Sequence, residues 1–165
     1  FFLTREQYIQ MTQFLREQPK RIRAVKVANE VLTGIVFLSY PLLLLYLLWK
    51  KDPWLARAVI VPLDSFLIVS FLRILIHAQR PYEKFGMAPV LEKDTVGKSF
   101  PSRHVFSVFI IGMTFFYQCW WIGILFMVIG ILLGMIRVLG GVHEPRDVIA
   151  GAVIGIVCGI IGFSI

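Results

Sequence analysis

The chain has 165 residues, 58% of them hydrophobic and only 16% charged, with 17 basic against 10 acidic side chains and a net charge of +7. Soluble domains carry about 25% charged residues, and one small globule cannot hide this much apolar surface, so a cytosolic enzyme, a disordered tail and a disulfide scaffold all fit poorly. The basic excess suits anionic lipid surfaces or a phosphate-bearing ligand. It does not suit nucleic acid, because the cationic residues flank apolar runs.

Residues 1–19 mix Phe2, Leu3, Tyr8, Ile9, Met11, Phe14 and Leu15 with Arg, Glu and Gln. That is too polar to span a bilayer, and an interfacial amphipathic helix is expected. A membrane helix needs about 20 mostly apolar residues. Two such runs follow, at 27–49 and at 54–77, the second interrupted only by Asp64 and tailed by Arg73. A polar loop over 79–99 holds Pro81, Gly86, Pro89 and Gly97. Residues 105–136 are then free of charge. As one helix they would reach about 48 Å, against a hydrocarbon core of about 30 Å. Two helices, 102–118 and 121–139, turning near Tyr117-Gln118-Cys119-Trp120-Trp121, fit better, and a last span covers 146–165. The expectation is an all-α fold in a single domain, 1–165. Its core, 27–165, is a polytopic membrane helix bundle of about five transmembrane helices, preceded by the interfacial helix. A start at Phe1 without Met and a stop inside an apolar run at Ile165 read as trimmed ends. Cys119 and Cys158 lack CxxC spacing and read as packing residues.

Because spans three and four form one hairpin, four polar clusters fall on one membrane face. They are Arg73-x6-Arg80-Pro81, Pro101-Ser102-Arg103-His104, Arg137 and His143-x3-Asp147; the opposite face offers Lys50, Lys51, Asp52 and Arg57. Arg73 and Arg80, seven apart, would share a helix face, where two guanidiniums repel unless an anion lies between them. Pro101 is expected in the first turn of span three, with the N–H groups of Ser102, Arg103 and His104 pointing outward. Pro145 would open span five, with Asp147 in its first turn and His143 just before it. Such a pocket suits a tetrahedral oxyanion. A phosphoryl group held there needs a nucleophile and an acid for the departing oxygen. A carboxylate beside one histidine fixes its tautomer, so His143 with Asp147 is the candidate nucleophile and His104 the candidate proton donor.

These clusters, with Arg137 and His143-x3-Asp147 read as one motif, resemble the type 2 phosphatidic-acid phosphatase superfamily, which shares its site with vanadium haloperoxidases. That family's pattern runs Lys-x6-Arg-Pro, Pro-Ser-Gly-His, then Ser-Arg-x5-His-x3-Asp. This chain reads Arg73-x6-Arg80-Pro81, Pro101-Ser102-Arg103-His104, then Ile136-Arg137-x5-His143-x3-Asp147. The resemblance covers about residues 27–165. It implies that Arg73, Arg80, Ser102 and Arg137 bind phosphate, that His104 protonates the leaving group, and that His143, oriented by Asp147, forms a phosphohistidine. It implies no metal and no cofactor. There are three departures. Arg73 stands for Lys and trades a point contact for a fork; Ile136 replaces Ser and removes a hydrogen bond; Arg103 replaces Gly. The Arg103 side chain either meets a second phosphate or stays in solvent.

The function expected is a lipid phosphate or diphosphate phosphatase of a bacterial plasma membrane, working in cell-wall or other lipid metabolism. Undecaprenyl diphosphate is favoured on Arg103, with phosphatidylglycerol phosphate and phosphatidic acid as alternatives. A non-catalytic lipid-phosphate binder or transporter is the reading from another class. The partners expected are the lipid substrate and the bilayer, with an oligomer left open. The positive-inside rule points the motif face to the cytoplasm, on Arg16, Lys20, Arg21, Arg23, Lys26, Lys84, Lys93 and Lys98 against Lys50, Lys51 and Arg57. The resemblance implies the outer face, which is the reading adopted. Asp64, about 13 Å along a helix from Arg73, reads as neutral or hydrogen-bonded between helices, with a role in lipid entry as the alternative. Gly130-x3-Gly134 and Gly151-x3-Gly155-x3-Gly159 allow close helix approach. Lys84, Lys93, Lys98 and Arg146 read as a solvated rim, His77 as pocket wall or the edge of span two, and Glu144 as the residue starting span five.

Overall fold

Backbone polar groups in hydrocarbon must be satisfied within the chain, so apolar runs of this length become helices. The computed structural model describes residues 2–91 and 96–165. Its elements are α1 (Arg5–Arg16), α2 (Pro19–Lys50), α3 (Leu55–Ile76), α4 (Pro81–Phe85), α5 (Arg103–Gln118), α6 (Trp120–Leu139) and α7 (Pro145–Ser164). The all-α membrane bundle is therefore as expected. Helices α2, α3, α6 and α7 are long and apolar enough to cross a membrane. The 16 residues of α5 reach about 24 Å.

Several boundaries move for local reasons. Thr4 caps α1 through a reciprocal bond pair with Gln7, and α1 buries Tyr8, Thr12 and Leu15, one stripe of a 3.6-residue repeat. The first span begins at Pro19, not 27, because Pro fits the first helical turn and the basic stretch Lys20–Lys26 simply continues the helix. The loop after α3 is not all coil, since Arg80 and Glu83 cap the short α4. The α5–α6 turn narrows to Cys119, held extended at φ −152°. Lys93, expected on the basic rim, lies outside the described residues.

Helix α5 is the hub. Val105 to Phe115 are all buried, as befits a helix apolar on every side, and it packs most extensively on α6 and α7. Glycines permit that approach. A Cβ at Gly151 would lie 2.6 Å from the Ser102 carbonyl oxygen, and one at Gly155 2.8 Å from Phe109 Cβ. Gly130 and Gly134 face Phe109 and Val148 in the same way, so these small residues serve packing inside the bundle. Helix α2 buries only Val36 and Leu47 and leaves Leu38 and Trp49 exposed, as an outer helix facing acyl chains would. Asp64 is exposed on α3 and does not lie between helices.

The glycine contacts predict a contrast. Gly155→Val should destabilise the purified protein by about 1–3 kcal/mol through overpacking. Gly34→Ala, with nothing within 4 Å of its Cβ, should be neutral or stabilising by up to about 1 kcal/mol. Thermal unfolding in detergent reads both.

Candidate active site

The site forms where the head of α5 meets the head of α7. Ser102, the residue before α5, donates its N–H to the Asp147 carbonyl at 2.8 Å. That differs from the expectation on two points: Pro101 lies before the helix, with Ser102 at its N-cap, and the Ser102 N–H is consumed internally. The Ser102 hydroxyl is buried without a hydrogen-bond partner among the described residues.

The nucleophile candidate sits in the α6–α7 connection. Its loop is held by the Arg137 carbonyl, which accepts from the N–H groups of Val142 and His143 at 3.1 and 3.3 Å. His143 Nδ1 is 3.4 Å from Asp147 Oδ2 and 3.3 Å from Ser99 Oγ. Ser99 donates to Asp147 Oδ2 at 2.5 Å, so its own oxygen is free to accept from Nδ1–H. The Glu144 N–H adds a third bond to the same carboxylate oxygen, at 3.0 Å. With Nδ1 protonated, Nε2 carries the lone pair. Nε2 lies 3.4 Å from Arg80 Nη1, which also donates to the Val142 carbonyl at 3.2 Å.

A cavity of about 360 Å³ opens in front of Nε2 and is lined by Arg73, Arg80, Lys98, Arg103, His104 and His143, with Ser70, Ile74, Val96 and Gly97. Four cations and no carboxylate stand among these lining residues. His104 and His143 thus share one cavity. Arg80 arrives by a different route from the one expected, because α3 ends at Ile76 with His77 in the left-handed region, and Arg80 approaches from the turn before α4. Glu83 organises that turn by accepting from the N–H groups of Arg80 at 3.1 Å and Gly97 at 2.6 Å. Arg73 uses its fork on backbone, donating to the carbonyls of Lys98 and Pro101, and so fastens the strap that carries Ser99. Arg137 is buried but does not line this cavity; it borders another with Lys26, Asn29, Glu30 and Leu91. His77 is exposed and packs by Gly97, marking the end of α3.

Acidic groups stand behind the site. Glu144, the N-cap of α7, pairs with Lys84 at 3.4 Å and with Arg146 at 2.8 Å, so neither cation is merely solvated. Arg146 also lies over the Phe2 ring. Three residues escaped the sequence reading as site members: Ser99, Ser70 and Lys98. Ser99 has no periodic or motif spacing to His143, and only the fold joins them.

Burial lowers the Arg80 pKa from its ordinary value. Among the described residues Arg80 Nε and the Ser70 and Ser102 hydroxyls are buried without a hydrogen-bond partner, and they fit an anion rich in acceptor oxygens. Burial also lowers His143, from 6.5 to about 4, overriding the Asp147 hydrogen bond that pulls it upward. The imidazole is therefore neutral at pH 7, as a nucleophile requires. No group of three or more His, Cys, Asp or Glu side chains that could hold a metal occurs among the described residues.

A model of the PAP2 superfamily matches residues 54–165. The chain is 31% identical over 120 residues to the bacitracin transport permease protein BcrC of Bacillus licheniformis, covering 67% of this chain and 59% of that protein. It therefore spans less than two thirds of that relative's length. Among solved structures, LpxE of Aquifex aeolicus superposes with a TM-score of 0.76 at 23% identity, covering 100% of this chain and 97% of the other. The transmembrane PAP2-type phosphatidylglycerolphosphate phosphatase of Bacillus subtilis gives 0.62 at 21% identity, over 95% and 90%. At these identities the two likenesses establish the fold.

Histidine NMR titration in micelles tests the electrostatics. His143 should take up its proton near pH 4, well below the usual 6.5. Because folding lowers this pKa, the unfolded chain protonates first as pH falls. The stability contribution of neutral His143 should be complete above pH 6.5 and disappear between there and pH 4.

Proposed function

The chain belongs to the PAP2 superfamily, and from that premise we propose that it is an integral-membrane phosphatase hydrolysing a lipid diphosphate, undecaprenyl diphosphate first among candidates, through a phosphohistidine. The observation that carries this reading is His143: neutral, Nδ1 turned to Ser99 and Asp147, Nε2 turned to a cation-lined cavity.

In the first step Nε2 forms a bond to the terminal phosphorus, and the phosphorus–oxygen bond to the lipid side breaks. The electron pair leaves with that oxygen, which takes a proton from His104. In the second step water attacks the phosphohistidine, His104 accepts the water's proton, and cleavage of the nitrogen–phosphorus bond releases inorganic phosphate. Asp147 stabilises the imidazolium formed on attack. Arg80 and Arg103 supply charge to the phosphoryl oxygens. Ser102 contributes its hydroxyl. Arg73 binds the phosphate while holding its strap, and Arg137 supports the anion from behind His143 through its charge. The charge needed is all guanidinium and ammonium, so the reaction calls for no metal, and activity should survive EDTA.

Arg103 favours a diphosphate. When a diphosphate is cleaved the leaving group is itself a phosphate, whose second pKa is near 6, so it needs charge neutralisation more than a proton. An alkoxide leaving from a monophosphate needs the proton far more. Arg103 stands beside His104 on the cavity wall, where it meets that departing phosphate. Phosphatidylglycerol phosphate and phosphatidic acid are the alternative substrates. A lipid-phosphate binder or transporter is the second reading, favoured by the name of the BcrC relative; the Ser99–Asp147–His143 linkage has no evident use in mere binding. The site faces outward across a bacterial plasma membrane.

His143→Ala should abolish phosphate release, and acid-labile phosphohistidine should vanish with it; turnover left intact would defeat the proposal. Arg103→Gly should lower kcat/KM for a prenyl diphosphate about tenfold or more and spare a monophosphate. His104→Ala should show the opposite bias. Comparable losses on both substrates would argue against the diphosphate assignment. For sidedness, Val96→Cys, at a strongly exposed position beside the cavity, should react with an impermeant maleimide on intact cells.

A further inference from the structure

The head cavity does not stand alone. A second cavity, also about 360 Å³, is lined by Thr33, Phe37, Phe66, Arg103, His104 and Ser107. It lies between α2, α3 and α5 and shares two walls, Arg103 and His104, with the head cavity. Arg103 Cζ sits 5.5 Å from the Phe66 ring centroid, and the Phe37 ring stands edge-on to His104 at 6.3 Å. Arg103 and His104 therefore form a threshold: polar on one side, aromatic on the other.

We propose that this α2–α3–α5 groove holds the first part of the substrate's hydrocarbon chain, and that Arg103, stacked on Phe66, sets where head ends and chain begins. The inference rests on the phosphatase reading above. If His104 protonates the leaving oxygen, that oxygen lies against His104, and the lipid it carries must continue from there. The second groove is the one that His104 also lines. The larger apolar groove of about 410 Å³ between α5, α6 and α7, walled by Phe109, Met135 and Ala152, includes none of the site residues. Continuity with the site therefore picks the α2–α3–α5 groove, although the other is the more apolar. Phe37 and the neighbouring Leu38 are exposed on α2, so a long chain can pass from the groove into the bilayer. The aromatic walls suit an unsaturated prenyl chain, whose π-bonds contact ring faces and edges.

The test blocks the groove after folding. Thr33→Cys protein is alkylated with a bulky maleimide, with equally treated wild type controlling for Cys119 and Cys158. Turnover of a long polyprenyl diphosphate is compared with that of a five-carbon prenyl diphosphate. The ratio of long-chain to short-chain kcat/KM should fall at least tenfold on labelling; an unchanged ratio overturns the proposal. A prenyl diphosphate bearing a diazirine on its chain gives an independent reading. Adducts on the segments holding Thr33, Phe37, Phe66 or Ser107 support the groove, and adducts confined to α6 and the Ala152 segment overturn it. Should unlabelled protein release no phosphate from either substrate, the phosphatase reading fails, and the adducts still decide the groove.

Discussion

One backbone hydrogen bond, Ser102 N–H to the Asp147 carbonyl, fixes the relation on which the site depends. It locks the first turn of α5 against the first turn of α7, and so places His104 and His143 on one cavity. Such a bond needs the two helix heads in backbone contact, which any residue with a Cβ at Gly151 would prevent, since that atom would fall 2.6 Å from the Ser102 carbonyl oxygen. Small residues repeated down α7 keep the same approach along the length of α5. Helix packing in lipid has no hydrophobic force between helices to exploit and relies on close van der Waals contact. The spacing of glycines on α7 thus controls a distance between catalytic candidates on different helices.

Around that junction, charge is sorted by layer. The cavity wall is cationic, through Arg73, Arg80, Lys98 and Arg103, while the carboxylates of Asp147 and Glu144 are buried behind it. Asp147 is committed to Ser99, His143 and the Glu144 N–H; Glu144 is committed to Lys84 and Arg146. Asp147 still bears on the front wall through its charge, which acts on Arg80. Cations confined at this density raise one another's energy, and a multiply charged tetrahedral anion relieves that strain for several of them at once. Keeping His143 neutral belongs to the same design, because an imidazolium there would add to the repulsion and lose its nucleophilic lone pair.

Much of this was legible in the chain. The membrane class followed from apolar run length, and the three motif clusters followed from their order and their recurrence at one face. What stayed hidden depended on breaks in regular structure. Helical spacing placed Arg73 and Arg80 on one face, yet α3 ends at Ile76, and the two converge through a turn ordered by Glu83. Ser99 sits four residues before Arg103 in a loop, where no period constrains a side chain, and it reaches His143 because Arg73 pins the strap beside it. Arg137 carries the motif spacing but borders a different cavity, with Lys26, Asn29, Glu30 and Leu91; the direction of a side chain near a helix end depends on neighbours that sequence alone does not supply.

The N-terminal helix packs against the loops that carry the chemistry. Tyr8 is fully buried, with its ring 5.4 Å from Phe85 and its hydroxyl 2.6 Å from where a Cβ on Gly141 would stand. Gly141, at φ +73°, lies two residues before His143, and the Gly140 carbonyl accepts from the N–H groups of Val90 and Leu91. Phe2 lies beneath Lys84 and Arg146, the two cations that pair with Glu144, and Arg16 donates to the Ala88 carbonyl. Tyr8, Phe2 and Arg16 thus bring the N-terminal segment against Gly141, against the two cations that pair with Glu144, and against the Ala88 carbonyl. An amphipathic helix of this kind loses much of its reason to fold away from an apolar partner. Its seat on these loops couples the placement of His143 to the packing of α1, so the N-terminal helix forms part of the wall that holds the site together.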